Sequence, residues 1–387
     1  MHTSSLAFTV FKNFGFWRPI KCSSFLAIWL YNGFTIFMAF LIITSTLSEL
    51  MDVILNAKTL DEFTGNCFMM MSMINVCFKT TNILMKRGQI ITLINMLLKA
   101  PFKPRDQEEI EIIEKYRKVS RWIFYSYGGL TWTCIVIITI RSIVGAFEGL
   151  LLFRAWLPYN LSTPLIFWLS YFHQMIAHTA GGSTQVANEC LIVGLMLDIC
   201  AQLEILKHRL HRISQMSEEM PNSETVKYYK KSNSSAVIAE CVEHHLHIVE
   251  FSRQINQIFY WVIFIQFSVS TVIICSSIYQ LSRMPMGSAP FVSLSIYLSC
   301  MLFQVFLFCW YGNEVILQSL NLNNSVYEMD WTRLGIRERK ELLIIMTRAT
   351  KPIKIASGAI IRLSLSSFTQ ILKSSYSAFN VLQQSSH

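Results

Sequence analysis

Seven long apolar runs, separated by polar and charged segments, dominate the chain. Each run reaches the roughly 20 residues that an α-helix needs to cross about 30 Å of hydrocarbon. The runs cover residues 25–47, 63–85, 122–140, 165–197, 258–281, 291–311 and 355–382. They predict an all-α membrane protein in which residues 1–387 form one domain with seven transmembrane helices.

The segments between the later runs also have a helical pattern. The fourth run is too long for one crossing, and its second half carries Gly181, Gly182 and several polar residues. We therefore expect its helix to cross the membrane and continue beyond it. Residues 198–257 and 312–354 are amphipathic and rich in helix formers, which predicts a helical anchor region packed together beneath the membrane.

The distribution of basic residues fixes the orientation. Of 33 Lys and Arg residues, 26 lie in alternate gaps, starting with the amino-terminal one, and four lie in the other gaps and the tail. Loops rich in Lys and Arg stay in the cytosol. The sequence thus predicts a cytosolic amino terminus, an extracellular carboxyl terminus and basic loops that meet anionic lipid headgroups. The first run is expected to be an uncleaved anchor, because no cleavable signal precedes it.

The seventh run carries a polar stripe. Ser366, Gln370, Lys373, Ser377 and Asn380 recur at spacings of three and four, so they share one face of a helix. Such a face needs hydrogen-bonding partners or water. The partners could be neighbouring helices, as is common for Ser and Thr, or several copies of the helix could line an aqueous pore around a shared axis.

The outer halves of the second to sixth runs are rich in aromatic residues and Met. Such side chains give a large apolar area that adapts to a ligand, although they also serve ordinary packing between helices. A pocket here would suit a small volatile or lipid-like ligand. The predicted ligand-binding residues are Phe68, Met69, Met73, Ile138, Phe172, Met175, Tyr279 and Tyr297.

Other kinds of site find no support in the sequence. The ten cysteines form no C-x-x-C pair, and the histidines between 208 and 247 lack the ligand spacing of a metal site. No nucleotide-binding or hydrolase motif occurs. The net charge of +9 lies in membrane-proximal loops, which argues against nucleic acid. We expect no enzyme activity, no metal and no cofactor.

The carboxyl-terminal run carries a specific pattern. Within residues 365–382, Phe368, Lys373-Ser-Ser-Tyr376 and Phe379-Asn-Val-Leu382 resemble in their spacing the terminal signature of insect odorant receptors. Residues 157–164 and 203–213 also resemble that family, so the similarity spans nearly the whole chain.

This resemblance implies a ligand-gated, non-selective cation channel in the dendritic plasma membrane of olfactory sensory neurons. The chain would bind a small volatile odorant and form a heterotetramer with the family's co-receptor, without a G protein. The gap between the fourth and fifth runs is shorter than in the co-receptor, which favours a ligand-tuning subunit. By position in the motif, the pore candidates are Tyr376, Phe379, Asn380 and Gln383.

Three alternatives remain open at this point. Gustatory receptors share the architecture, but here Ser375-Tyr376 leads to Leu382-Gln383-Gln384 instead of their usual ending. A G-protein-coupled receptor would have its amino terminus outside and an Asp-Arg-Tyr triplet after the third run, where Arg141-Ser142 stands. A transporter would usually have an inverted repeat or helices broken by Gly and Pro at matching places.

The orientation predicts the pattern of glycosylation. Asn160 begins a sequon in an extracellular gap, whereas the sequons at Asn233 and Asn323 lie in cytosolic gaps. Glycosidase treatment after expression in animal cells should therefore shift the gel mobility of the wild-type protein but not of Asn160→Gln. A glycan that persists in Asn160→Gln and disappears in Asn233→Gln would contradict the orientation.

Overall fold

The computed structural model describes residues 5–19, 24–56, 58–216, 224–328, 335–358 and 361–385. These residues form helices and one short hairpin. The elements are α1 (Ser5–Asn13), α2 (Phe25–Asn56), α3 (Leu60–Met85), α4 (Arg87–Met96), α5 (Gln107–Phe147), α6 (Pro164–Met216), α7 (Glu224–Arg283), α8 (Ala289–Tyr327), α9 (Ile336–Ala349), β1 (Ala356–Ser357), β2 (Ile361–Arg362) and α10 (Leu365–Ser385).

Helices α2, α3, α5, α6, α7, α8 and α10 correspond to the seven apolar runs. In the described part of the chain, five of them are long and apolar enough to cross a membrane, namely α2, α3, α5, α7 and α8. Helices α6 and α10 are not among the five, because their polar residues lower their mean hydropathy. We call the end of the bundle that carries the basic gaps the inner end and the opposite end the outer end.

Helix α6 forms the centre of the bundle. It packs against α5, α7, α8, α2 and α3, and every residue from Ser183 to Leu203 is buried. A helix enclosed on all sides has no need of an amphipathic pattern. This explains why residues 183–198 combine long apolar stretches with polar side chains that bond to other helices.

The inner end of α5 is fixed by polar contacts. Asp106 caps the helix by accepting a hydrogen bond from the Glu109 backbone N–H at 2.8 Å, which satisfies one of the otherwise unpaired donors of the first turn. The buried Glu109 carboxylate in turn accepts two bonds from the Arg209 guanidinium of α6, at 2.7 and 2.8 Å. A bidentate Arg–carboxylate pair is directional, so it sets how α5 and α6 meet.

His244 of α7 completes this group of side chains. One ring nitrogen lies 3.2 Å from the Arg209 guanidinium, and the other lies 2.9 Å from the Gln202 side-chain oxygen. Arg209 can only donate, so the ring accepts from Arg209 and donates to Gln202. His244 is therefore neutral in the folded protein.

The sequence prediction for the last transmembrane helix was wrong at its start. Ile355 was expected to begin the helix, but α10 begins at Leu365 and the preceding residues form a hairpin. The backbone N–H of Leu363 donates to the Ile355 carbonyl at 3.0 Å. Gly358, with a φ of +63°, lies in the turn, in a conformation that favours glycine. Ile355 and Leu363 are fully buried and face protein rather than lipid.

The hairpin is bound to α7 and α8. Asn256 of α7 accepts from the Ala356 backbone N–H at 3.0 Å and donates to the Lys354 carbonyl at 2.9 Å. Gly312 of α8 lies so close to the hairpin that a Cβ atom there would stand 2.3 Å from the Leu363 Cβ. The inner end of α10 is thereby joined to the neighbouring helices.

The buried histidines predict a pH-dependent stability. Burial and the nearby Arg209 charge lower the pKa of His244 to about 3, and burial lowers the pKa of His245 to about 4, from an ordinary value of 6.5. The unfolded chain therefore binds more protons below about pH 6.5, and stability falls as the pH decreases from there toward 4. Each histidine contributes a slope of about 1.4 kcal/mol per pH unit.

Thermal unfolding of the detergent-solubilised protein across that pH range tests this. His244→Gln keeps a donor for Gln202 without a titrating ring, so it should remove about half of the slope. His247→Gln is the matched control, because the His247 side chain is 42% exposed. Equal slopes in the wild type and His244→Gln would refute the lowered pKa of His244 as a source of the pH dependence.

Candidate functional site: a two-part cavity at the outer end

An open cavity lies at the outer end of the bundle. This vestibule has a volume of about 580 Å³ and is lined by ends of α2, α3, α5, α7 and α8 and by the loop before α6. Polar side chains surround its mouth. Arg141 donates to Ser293 at 3.0 Å, and Gln280 donates to Thr64 at 2.6 Å. Asn160 is exposed in the same loop.

A smaller and more apolar chamber lies deeper in the bundle. It has a volume of about 100 Å³ and lies between α3, α5, α6 and α8. The chamber and the vestibule share five lining residues, so the two cavities adjoin. The shared residues are Met69, Ile138, Leu152, Phe153 and Tyr297.

Six of the eight predicted ligand-binding residues line these cavities. Phe68 lines the vestibule, Met73 and Met175 line the chamber, and Met69, Ile138 and Tyr297 line both. The rings of Phe68 and Tyr297 pack with centroids 5.1 Å apart. The Tyr297 hydroxyl lies 2.5 Å from that of Ser72.

The two remaining predictions, Phe172 and Tyr279, line neither cavity. Phe172 is 47% exposed on the outer surface of α6, beside the Trp168 ring. Tyr279 is buried beneath the Arg283 guanidinium, 5.6 Å from its ring centroid. On α7 the lining residue is Gln280, which directly follows Tyr279 and lies about 100° further around the helix. On α6 the first lining residue is Met175, three positions after Phe172.

Polar groups beneath the chamber form a network that the sequence analysis did not predict. Tyr127 and Gln185, both in the chamber wall, donate to the Gln304 side-chain oxygen at 3.3 and 3.2 Å. Gln304 donates to Glu189 at 2.5 Å. Glu189 also forms an ion pair with Lys79, and the two side chains are 1% and 2% exposed.

The sequence contains only a weak signal for this network. Lys79 and Glu189 are single charges within apolar runs, where an ionisable residue needs a partner. The two residues are 110 positions apart, so neither identifies the other without the fold. Gly182 is a second signal, because a Cβ atom there would stand 2.7 Å from the Ile135 Cδ1. It allows α5 to approach α6 at the chamber.

The polar stripe of α10 lies on the outside of the chain. Ser366, Gln370, Lys373 and Ser377 are exposed, while Ile371 packs against the bundle. Of the pore candidates, Tyr376 is 61% exposed, and Phe379 and Asn380 are half-buried. The side chain of Gln383 lies outside the described residues. A single copy of α10 encloses no channel.

Comparisons with known proteins identify the family to which this arrangement of helices belongs. The family model for the 7tm odorant receptors matches residues 59–376. The chain therefore belongs to the odorant receptor family. It is a membrane receptor of olfaction, and the family consists of receptors and channels rather than enzymes.

Individual relatives extend over most of the chain. Odorant receptor 46a, isoform A, of Drosophila melanogaster is 24% identical and covers 90% of this chain and 89% of its own. The putative odorant receptor 85d of the same species is 26% identical, and the match covers 79% of this chain and 74% of that receptor. The structure of the olfactory receptor OR5 from Machilis hrabei in complex with eugenol matches with a TM-score of 0.84 at 15% identity. The match covers 98% of this chain and 97% of that one. The chain thus has the seven-helix fold of insect odorant receptors.

The buried ion pair predicts a large effect of single substitutions. Lys79→Met leaves the Glu189 charge buried without its partner and should cost about 3–5 kcal/mol, whereas Lys79→Met combined with Glu189→Gln should recover most of that loss. Thermal unfolding and surface expression measure both variants. Arg105→Met is the matched control, because the Arg105–Glu240 pair is about half exposed and should be worth about 0–1 kcal/mol. A loss no larger than that of the control would contradict the role of the pair.

Proposed function

We propose that the chain is the odorant-binding subunit of a ligand-gated, non-selective cation channel that it forms with the odorant receptor co-receptor. The complex would be a heterotetramer in the plasma membrane of olfactory sensory neuron dendrites. The observation that carries the proposal is the pair of adjoining cavities at the outer end of the bundle, together with the exposed polar stripe of α10.

The cavity suits a small volatile molecule. A polar mouth with Arg141 and Gln280 narrows to a chamber lined mainly by Met and other apolar side chains. Burial of an apolar ligand there gains about 25 cal/mol per Å² of apolar surface. Met adapts to ligands of irregular shape. Phe68, Met69, Met73, Ile138, Met175 and Tyr297 are the proposed contact residues.

The last helix is the proposed wall of the pore. Its hydroxyl and amide side chains lie on a face that its own chain leaves uncovered. Copies of α10 arranged around a common axis would turn this face toward water. Tyr376, Phe379, Asn380 and Gln383 are then the candidates for its outer constriction. The exposed apolar residues Leu317, Leu343 and Ile344 of α8 and α9 support an interface between subunits at the inner end.

Gating follows from a difference in ligand affinity between two arrangements of the helices. A ligand shifts the population toward the open channel only if it binds that arrangement more tightly. The chamber is bounded by α8, and α8 also packs against α10. A ligand that alters the packing of α8 thereby acts on the helix that lines the proposed pore.

Recording of odorant-evoked currents tests the proposal, with the chain and the co-receptor expressed together and each alone. Currents should require both subunits. Met69→Ala and Met175→Ala should change the order of potency among odorants, with shifts of about tenfold for a change of about 1.4 kcal/mol. An agonist of the co-receptor should remain effective, which shows that the variants assemble.

Phe172→Ala is the matched control, because Phe172 lies three residues before Met175 on α6 but outside the cavity. It should leave the order of potency unchanged. An unchanged order in Met69→Ala and Met175→Ala, or an order changed equally by Phe172→Ala, would refute the cavity as the odorant site.

A further inference from the structure

The network beneath the chamber has a fixed direction of hydrogen bonding. Lys79 is an ammonium donor, and Glu189 is a carboxylate that only accepts. Lys79 donates to Glu189 Oε1 and to the side-chain oxygen of Gln266. Gln304, which also contacts Glu189 Oε1, must therefore direct its amide nitrogen toward the carboxylate.

This orientation of Gln304 fixes that of its neighbours. Its side-chain oxygen faces Tyr127 and Gln185, so both must act as donors toward it. The Tyr127 hydroxyl hydrogen is used in this way, and the amide nitrogen of Gln185 must point at Gln304. The amide of Gln185 cannot be reversed, because reversal would place two oxygens against each other.

These hydrogen bonds leave the side-chain oxygen of Gln185 without a partner in the network. It is buried, and it has no hydrogen-bond partner within the described part of the chain. The residue is 6% exposed and belongs to the wall of the inner chamber. A buried acceptor that stays unpaired costs about 1–3 kcal/mol, so a partner that enters the chamber gains a corresponding advantage.

The chamber wall provides few free donors for this oxygen. The Thr131 hydroxyl donates to the Tyr127 carbonyl at 2.9 Å, and the Tyr297 hydroxyl is engaged by Ser72 and the Phe68 carbonyl. Apart from the hydroxyls of Ser72, Thr139 and Thr179 and the His178 ring, the remaining surface is largely Met, Ile, Val and Cys. The chamber is therefore mainly apolar, and the Gln185 oxygen is a buried acceptor without a partner in its wall.

We propose that Gln185 selects odorants that carry a hydrogen-bond donor on an apolar body, such as an alcohol or a phenol, over analogues of the same shape that lack it. This inference rests on the proposed function, since it assigns a ligand class to the same cavity. The O–H group of the ligand donates to the Gln185 oxygen, while its hydrocarbon part fills the chamber and extends toward the vestibule.

Matched pairs of odorants test this inference. Medium-chain primary alcohols and phenols, each with its methyl ether, are applied to cells that express the chain with the co-receptor. Where a pair is active, the alcohol or phenol should act at a concentration about tenfold lower than its ether. Gln185→Met, which keeps an unbranched side chain without the amide oxygen, should bring the two members of each pair to similar potency.

Thr131→Val is the matched control in the same wall, because its hydroxyl is already bonded to backbone. It should shift alcohols and ethers by the same factor. If Gln185→Met does not reach the cell surface, the wild-type comparison and Gln185→Leu decide the question.

Two results would overturn the inference. In the first, ethers are as potent as their alcohols on the wild type, because a water molecule then satisfies Gln185. In the second, the preference for hydrogen-bond donors persists in Gln185→Met. In both cases the odorant responses themselves leave the proposed function intact. A channel that opens with the co-receptor agonist but responds to no member of the panel would contradict the proposed function, and this inference with it.

Discussion

A lysine and a glutamate enclosed in the middle of the bundle set the arrangement of the surrounding helices. Lys79 belongs to α3 and Glu189 to α6, and their partners Gln266 and Gln304 belong to α7 and α8. Charges removed from water are tolerated only where their geometry is satisfied. Interhelical apolar contacts in a membrane gain little from the hydrophobic effect, since lipid is equally apolar. The directional polar contacts therefore specify which of many possible packings the four helices adopt.

The cavity depends on this arrangement. The network joins α3, α6 and α8 beneath the chamber, and Gly182 of α6 lets the Ile135 side chain of α5 pack closely at the chamber wall. The same network determines the polarity of the chamber floor, since the Glu189 carboxylate orients Gln304 and Gln304 orients Gln185.

Hydropathy was sufficient to predict the seven-helix architecture, because it depends on residue types summed over long segments, and the residue spacing in the last run was sufficient to indicate the family. Six of the eight residues predicted from the outer aromatic and Met clusters also line the two cavities. Phe172 and Tyr279 line neither, because a periodicity argument does not fix the rotation of a helix about its axis. The Lys79–Glu189 pair and the role of Gln185 could not be predicted, since they depend on contacts between residues more than 100 positions apart.

The hairpin before α10 has a mechanical consequence. Because β1 is bonded to α7, and Leu363, just after β2, lies directly against Gly312 of α8, the inner end of α10 is held to the bundle. The helix has 21 residues, which corresponds to a length of roughly 30 Å. A tilt of about 5° about that fixed point displaces its far tip by about 3 Å and its base by almost nothing, given a helix of this length. In the proposed channel, a small rotation would be enough to widen an opening at the tip, while contacts at the base would keep neighbouring subunits together.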